Sequence, residues 1–154
     1  MDSIWQATSE MPHFPTLVGD LKKDAVVVGG GMAGLLTAAR LRQAGLDTAV
    51  IERESIASGV TAGTTAKITS QHGLIYDKLI RRFGHERARQ YAHANQRAID
   101  RFWEMAAEIG AQCAMQEMDA YVYSTSGGTK TQREAAAAQS LGIPASLVVK
   151  TDLP

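Results

Sequence analysis

The glycine-rich run at residues 29–34 places the strongest constraint on how this chain can fold. It follows residues 24–28, a short β-branched run suited to a strand that is buried on both faces. Residues 32–44 are rich in good helix formers, and Gly45 is suited to end that helix. Residues 46–51 then predict a second strand. A helix between two strands joined this closely predicts a right-handed βαβ crossover and a parallel strand pair.

The glycines fit the G-x-G-x-x-G pattern of a dinucleotide-binding turn through Gly29, Gly31 and Gly34. The first glycine allows a tight turn, the second lets the backbone approach a pyrophosphate, and the third lets the helix pack on the strand. The helix N-terminus offers N–H groups to the phosphates. Glu52 lies about twenty residues downstream, where a carboxylate accepts hydrogen bonds from the adenosine ribose and repels the 2′-phosphate of NADP. FAD and NAD share the ADP half, so the motif leaves both open, with a turn that binds nothing as the alternative.

Residues 53–72 are rich in Ser, Thr, Gly and Ala and carry little periodicity. A loop of this length is uncommon in a compact domain unless it is functional or flexible. Its hydroxyls and glycine N–H groups are suited to wrap a pyrophosphate and reach toward a flavin. Composition alone leaves that interpretation and a flexible Ser/Thr loop equally open.

Composition excludes several other classes of protein. The chain has 154 residues, and its 16 Lys and Arg balance 16 Asp and Glu, which excludes a strongly basic nucleic-acid binder. A single cysteine, Cys113, excludes an internal disulfide and a Cys-rich metal site and favours a reducing compartment. Residues 1–23 contain no apolar run of signal-peptide length, and the most apolar stretch, residues 25–39, is shorter than the ~20 residues that span a bilayer. We therefore expect a cytoplasmic protein with no membrane span, no nucleic-acid partner and no metal site.

Helical patterns dominate the rest of the chain. Residues 73–110 predict two helices broken near Gly84, and residues 129–141 predict a third. Weak alternation at residues 111–125 predicts two short strands, and residues 147–149 predict a final one. In the helix after Gly84, one buried face is predicted from residues that recur at three- and four-residue steps: Ala88, Tyr91, Asn95, Ile99, Phe102, Trp103, Ala106 and Ile109.

Residues 24–41, together with Glu52-Arg53 and Ser58-Gly59, resemble the D-amino-acid oxidase (DAO) family of FAD-dependent oxidoreductases. A narrower resemblance is to a bacterial subgroup whose flavin domains carry a C-terminal Rieske 2Fe–2S domain. It is carried by Ser3-Ile4-Trp5, residues 61–73, Tyr76, Tyr91 and Asn95. The resemblance covers nearly the whole chain, and residues 64–73 are its most specific part.

The family resemblance implies an enzyme that oxidises a C–N bond, commonly of an amine or amino acid, by hydride transfer to FAD. Contacts with the pyrophosphate are implied for Gly29, Gly31, Met32, Ala33 and Gly34, and further along it for Ser58, Gly59 and Thr61. Glu52 would hold the adenosine ribose, and Arg53 would lie near the adenine. Thr64, Thr65, Ala66 and Lys67 would lie toward the isoalloxazine ring. There the Lys67 cation would stabilise the anionic reduced flavin.

Family members run to several hundred residues, so the resemblance implies that this chain is the N-terminal part of a longer enzyme. We expect an incomplete α/β fold: a Rossmann-like FAD/NAD(P)-binding βαβ unit, then helices and the start of a second α+β domain. The expected divisions are a leader at residues 1–23, an FAD-binding portion at 24–110 and a truncated start of a substrate domain at 111–154. Contacts with the small-molecule substrate and the Rieske cluster would belong to the missing part.

The sequence does not name a catalytic residue, a substrate or an oligomeric state. We expect the chain by itself to be inactive and to retain FAD poorly, because ligand sites in doubly wound sheets need strands from both halves. Two alternatives stay open at this point. One is a non-catalytic fragment with weak or no nucleotide binding, and the other is an NAD-binding dehydrogenase module.

Overall fold

A computed structural model describes residues 3–111, 113–125 and 127–149. Within them the chain mixes helices with one small sheet. The elements in chain order are α1 (Ile4–Thr8), β1 (Ala25–Val28), α2 (Met32–Gln43), β2 (Thr48–Ile51), α3 (Tyr76–Phe83), α4 (His85–Glu108) and α5 (Thr129–Ser140). They belong to two compact units, one up to Lys67 and one from Ile68 onward.

The first unit is built on the parallel pair of β1 and β2. Val27 lies opposite Val50 and Val28 lies opposite Ile51, so the register runs without a bulge. The helix α2 connects the two strands and packs against both of them. Just before the pair, the backbone N–H of Asp47 donates to the carboxylate of Asp24 at 2.9 Å, which joins the two strand entrances. This interaction explains why β2 begins at Thr48 and not at residue 46 as predicted.

Only one face of this sheet is covered within the described residues. The Val27 side faces α2, because a Cβ added to Gly34 of that helix would lie 3.4 Å from the Val27 side chain. On the opposite face Val28 is 84% exposed and Val26 is also exposed. The prediction that this strand is buried on both faces is therefore wrong for this unit, since a single helix covers a single face.

The second unit packs α3 against both α4 and α5. Its core is a cluster in which alanines let the helices approach closely: Tyr76, Ala88, Ala92, Ala137, Ala138, Leu141 and Ile143. Gly84 separates α3 from α4 with φ +80°, a left-handed conformation that favours glycine. The predicted break near Gly84 is thus confirmed.

A buried carboxylate organises this helical unit. Glu134 of α5 is only 4% exposed, and its Oε1 accepts the backbone N–H groups of Ile75 and Tyr76, each at 2.8 Å. Its Oε2 accepts the N–H of Asp77 at 3.0 Å, and Gln71 donates to Oε1 from its side chain. Backbone N–H groups at the N-terminus of a helix have no acceptor within the helix itself, and the helix dipole there also favours a negative charge. A side chain 58 residues away therefore caps α3.

Several predictions for the later part of the chain are wrong. Residues 113–125 and 143–149 form no strand, since no described segment pairs with them. The predicted buried face of α4 is buried only at Ala88, whereas Tyr91 and Trp103 are exposed and Ile109, beyond the helix end, is 75% exposed. Periodicity located the helix, but its buried residues, Ala88 and Ala92, both lie in its first half. Positions 1, 2, 112, 126 and 150–154 of the predicted leader, strand and substrate-domain segments lie outside the described residues.

No helix in the described part of the chain is both long and apolar enough to cross a membrane. The longest, α4, carries charged side chains along its length, and Arg101 pairs with Glu104 and Glu108 at 2.8 Å. The sequence predicts an extended leader at residues 1–23, but Ile4–Thr8 within it form α1, whereas residues 9–23 contain no helix or strand.

Replacing Glu134 with Gln is expected to lower the free energy of unfolding of the second unit by about 2–4 kcal/mol. The glutamine amide has no charge, and its NH₂ group cannot accept from the backbone N–H groups of α3. Hydrogen bonds to a charged group contribute about 1.5–3 kcal/mol each. Urea denaturation followed by circular dichroism measures the change. Glu104→Gln is the matched control, because its exposed ion pair contributes at most about 1 kcal/mol. Equal stability of the two variants would contradict the capping role.

Candidate nucleotide-binding site

The turn after β1 needs glycine at its first position. Gly29 has φ +106°, and its N–H donates to the carbonyl of Ile51 at 2.7 Å, so the turn continues the bonding of the two strands. A residue with a Cβ is strained at such a φ.

Gly34, the third glycine of the motif, lies where α2 begins to cross the turn. A Cβ added to it would lie 1.9 Å from the carbonyl oxygen of Gly29, closer than any packing allows. The helix can therefore lie on the strand only with glycine at this position. The two outer glycines are explained by the chain itself, without any ligand.

The middle glycine of the motif behaves differently. Gly31 has φ −76°, a conformation open to every residue, and a Cβ there would lie 3.5 Å from the hydroxyl oxygen of Thr61, an ordinary contact. Nothing in the described chain excludes a side chain at this position. Glycine at position 31 therefore leaves room in front of the backbone, as the close approach of a ligand would require.

Gly30 is a site residue that sequence reasoning missed, because it occupies a variable position of the motif. It is buried, and a Cβ would meet the side chain of Ile56 at 2.9 Å and that of Glu52 at 3.2 Å. Its carbonyl accepts the N–H of Ala57 at 2.7 Å, which joins the loop to the turn. The available signal was the unbroken run of three glycines, which indicates close contact on more than one side.

Glu52 follows β2 directly and reaches back to the turn. Its Oε2 accepts the N–H of Gly30 at 2.7 Å, and its Oε1 accepts the N–H of Glu54 at 3.0 Å. These two hydrogen bonds, the one from Glu54 first, lower the pKa of the Glu52 carboxyl below its usual 4.5. The side chain is thus ionised at neutral pH. A carboxylate offers about four lone-pair positions, so the two bonds leave capacity for a further donor such as a hydroxyl.

The N-terminus of α2 opens beside this carboxylate. Gly31 is its N-cap and supplies no side-chain cap, and the N–H of Met32 donates to the hydroxyl oxygen of Thr61 at 3.2 Å. Among the residues that the structure describes, the N–H groups of Ala33 and Gly34 have no acceptor. Free N–H groups and the positive end of the helix dipole make this terminus suited to bind an anion.

The structure brings only part of the predicted loop to the turn. Thr61 lies there through its contact with Met32, whereas Arg53 is 89% exposed at its side chain and pairs with Glu54. Ser58 donates its hydroxyl to the carbonyl of Ser55 at 2.6 Å, and Gly59 accepts the N–H of Gly63 at 3.1 Å. Both bonds lie within the loop, and the Ser58 hydroxyl therefore already has an acceptor there.

The last predicted residues form the end of the first unit. Thr64 accepts the N–H of Ala66 on its hydroxyl at 3.2 Å, and its carbonyl accepts the indole N–H of Trp5 at 2.7 Å. Ala66 has φ +54°, a left-handed conformation uncommon for alanine. Thr65, Ala66 and Lys67 are exposed.

Comparison with known proteins identifies the family of the chain. A family model described as "DAO: FAD dependent oxidoreductase" matches residues 24–153. The chain belongs to the DAO family. The family resemblance predicted from the sequence is confirmed, and the glycine turn, Glu52 and the N-terminus of α2 all lie within the matched DAO segment.

A relative of this DAO-family chain comes from Bacillus subtilis (strain 168). It is named "Putative Rieske 2Fe-2S iron-sulfur protein YhfW" and is 37% identical over 155 residues, which cover 99% of this chain. The chain spans 30% of the length of that protein. No solved structure matches the chain.

Replacing Gly34 with Ala is expected to destabilise the first unit of the DAO-family chain by about 3 kcal/mol or more, because the new methyl group would overlap the Gly29 carbonyl. Gly31→Ala is the matched control in the same motif. Its methyl group has space, and alanine at an N-cap costs about 1 kcal/mol at most relative to glycine. Urea denaturation compares the two variants. Similar losses of stability in the two variants would contradict the close approach of α2 to the Gly29 carbonyl.

Glu52→Gln is expected to lower the melting temperature at pH 7 and to have a progressively smaller effect as the pH falls below 4.5. The pKa of Glu52 is lowered in the folded chain, so its stabilising contribution is complete above the ordinary value of 4.5. That contribution is lost as the pH falls through the lower folded pKa, because the wild-type carboxyl then becomes neutral too. Thermal melting of both proteins between pH 3 and 7 gives the difference. A difference that does not change with pH would contradict the bonding of the ionised carboxylate.

Proposed function

We propose that this chain is the N-terminal, FAD-binding part of an oxidoreductase that oxidises a small amine or amino acid. One observation carries the proposal. The ionised carboxylate of Glu52 bonds the glycine turn at Gly30, and the unpaired N–H groups of Ala33 and Gly34 follow the same turn at the start of α2. An ADP group needs an acceptor for its ribose hydroxyls and donors for its pyrophosphate, and the turn offers both.

The residues fit the ADP half of FAD in charge as well as in hydrogen bonding. The N–H groups of Ala33 and Gly34 would bind the pyrophosphate, and Gly31 would let it approach the backbone. The free lone pairs of Glu52 would accept the ribose hydroxyls. A 2′-phosphate at that position would be repelled by the negative charge of Glu52. FAD and NAD therefore fit better than NADP.

The loop supplies the remaining proposed contacts. The hydroxyl of Thr61 accepts from Met32, and its own proton is left to donate to a phosphate oxygen. Ser58 and Gly59 would continue the pyrophosphate contacts, and Arg53 would lie near the adenine. Residues 64–67 would lie toward the isoalloxazine, with the Lys67 cation favouring developing negative charge there. When bound, FAD supplies the acceptor for a hydride from the carbon of the substrate C–N bond.

The substrate and the iron–sulfur cluster are proposals about a longer protein. The chain spans 30% of YhfW, and the name of that relative gives it a Rieske cluster. A Rieske cluster needs two cysteines and two histidines, whereas this sequence has one cysteine. The cluster ligands and most substrate contacts would therefore come from the part of such a protein that follows residues 1–154.

Titration of the purified chain with FAD, followed by flavin fluorescence and absorbance, tests the binding proposal. We expect weak but saturable uptake that ADP competes away, and at least about tenfold weaker binding by Gly31→Ala, because its methyl group blocks the approach of the pyrophosphate. Gly128→Ala is the matched control, since a Cβ there lies 3.6 Å or more from its neighbours in the second unit.

The other outcomes of the titration are equally informative. Absence of FAD uptake by a folded wild-type chain would overturn FAD binding by these residues. Tighter binding of NAD than of FAD would favour a dehydrogenase module instead. Equal FAD affinity of the wild type and Gly31→Ala would place the cofactor away from the turn.

A further inference from the structure

The helix α1 is too short to be stable by its own hydrogen bonds. It has five residues, none of them buried, and an isolated helix of this length is unstable in water. A complete capping box forms its first turn: the hydroxyl of Ser3 accepts the N–H of Gln6, and the side chain of Gln6 accepts the N–H of Ser3. Something beyond this cap must hold α1 in place.

Trp5 supplies that attachment. Its indole N–H donates to the carbonyl of Thr64 at 2.7 Å, across 59 positions of sequence. Among described residues 3–22, no other hydrogen bond leads out of this segment. This bond therefore links α1 to a single residue of the loop, Thr64.

Thr64 belongs to a stretch that is attached to α2 at one end and held by a hydrogen bond within the stretch at the other. At one end the hydroxyl of Thr61 accepts from Met32 at the start of α2, and the carbonyl of Thr61 accepts the N–H of Thr64 at 3.4 Å. At the other end the Thr64 hydroxyl accepts from Ala66, whose φ is +54°. A residue in that region costs free energy and keeps its conformation only when the surroundings impose it. The residue that Trp5 bonds, Thr64, lies two positions before this strained alanine.

We propose that Trp5 is a positioning residue, which holds the Thr64 carbonyl so that residues 64–67 keep the conformation that receives FAD. The inference rests on the proposed function for the identity of the ligand. The effect of Trp5 on the loop does not depend on it. Tryptophan suits this role because one end of its ring donates a hydrogen bond while the rest packs as an apolar plate. Trp5 is 39% exposed, so its side chain is partly covered and partly open to solvent.

The first experiment is hydrogen exchange of the full chain without cofactor. Trp5→Phe keeps a six-membered aromatic ring and removes the N–H donor together with the five-membered part of the indole. We expect exchange of the Ala66 amide to rise about fivefold, the factor that corresponds to the loss of one hydrogen bond of ordinary strength, while the amides of β1 are unchanged. Trp103→Phe is the matched control, because Trp103 lies on α4 in the second unit. Unchanged exchange at Ala66 in Trp5→Phe would overturn the proposal.

The second experiment is an FAD titration of the same three proteins. Trp5→Phe should bind FAD several-fold more weakly at an unchanged melting temperature, a combination that a merely structural contact would not produce. Trp103→Phe should bind like the wild type. Since the chain has two tryptophans, this variant also makes Trp5 the sole indole fluorophore, and FAD should quench it.

The two proposals fail in different ways. A wild-type chain that takes up no FAD overturns the proposed function, and the exchange at Ala66 still decides whether Trp5 orders the loop. A wild type that binds FAD no better than Trp5→Phe leaves the proposed function standing and overturns the positioning role.

Discussion

The hydrogen bond from the Gly30 N–H to the Glu52 carboxylate is the interaction on which the candidate site depends. It joins the residues that follow β1 and β2, the two strands between which α2 runs. Through it the turn receives a negative charge next to the positive end of α2. The same glycine binds the loop through its carbonyl, so turn, strand end and loop share one residue. A side chain at position 30 would separate all three.

Each unit of the chain uses a glutamate to satisfy backbone N–H groups, with opposite consequences. Glu134 accepts four hydrogen bonds and is 4% exposed, so its capacity is used within the chain and its role is stability. Glu52 accepts two and remains partly exposed, so it can bind a further donor. The number of hydrogen-bond donors and the exposure of the side chain distinguish a structural carboxylate from one that is available to a ligand, whereas the residue type is the same in both.

Much of the first unit was predictable because its determinants are local. The β-branched run, the glycine turn and the helix formers lie next to each other, and the parallel pairing follows from their order. The break at Gly84 was predictable for the same reason. The strands predicted at residues 111–125 and 147–149 failed because alternation describes a strand only where a partner strand exists. Burial along α4 failed similarly, since periodicity marks a face without saying how far a neighbouring helix covers it.

The sequence by itself determined the glycine turn, the α2 helix, the acid after β2 and the membership of the DAO family. All of these reside in contiguous residues whose backbone preferences and spacing are readable directly. Only the tertiary structure decided that Glu134 caps α3, that Gly30 is as constrained as the motif glycines, and that Trp5 binds Thr64. These contacts join residues 22 to 59 positions apart. Chain folding creates such proximity, and no local preference encodes it.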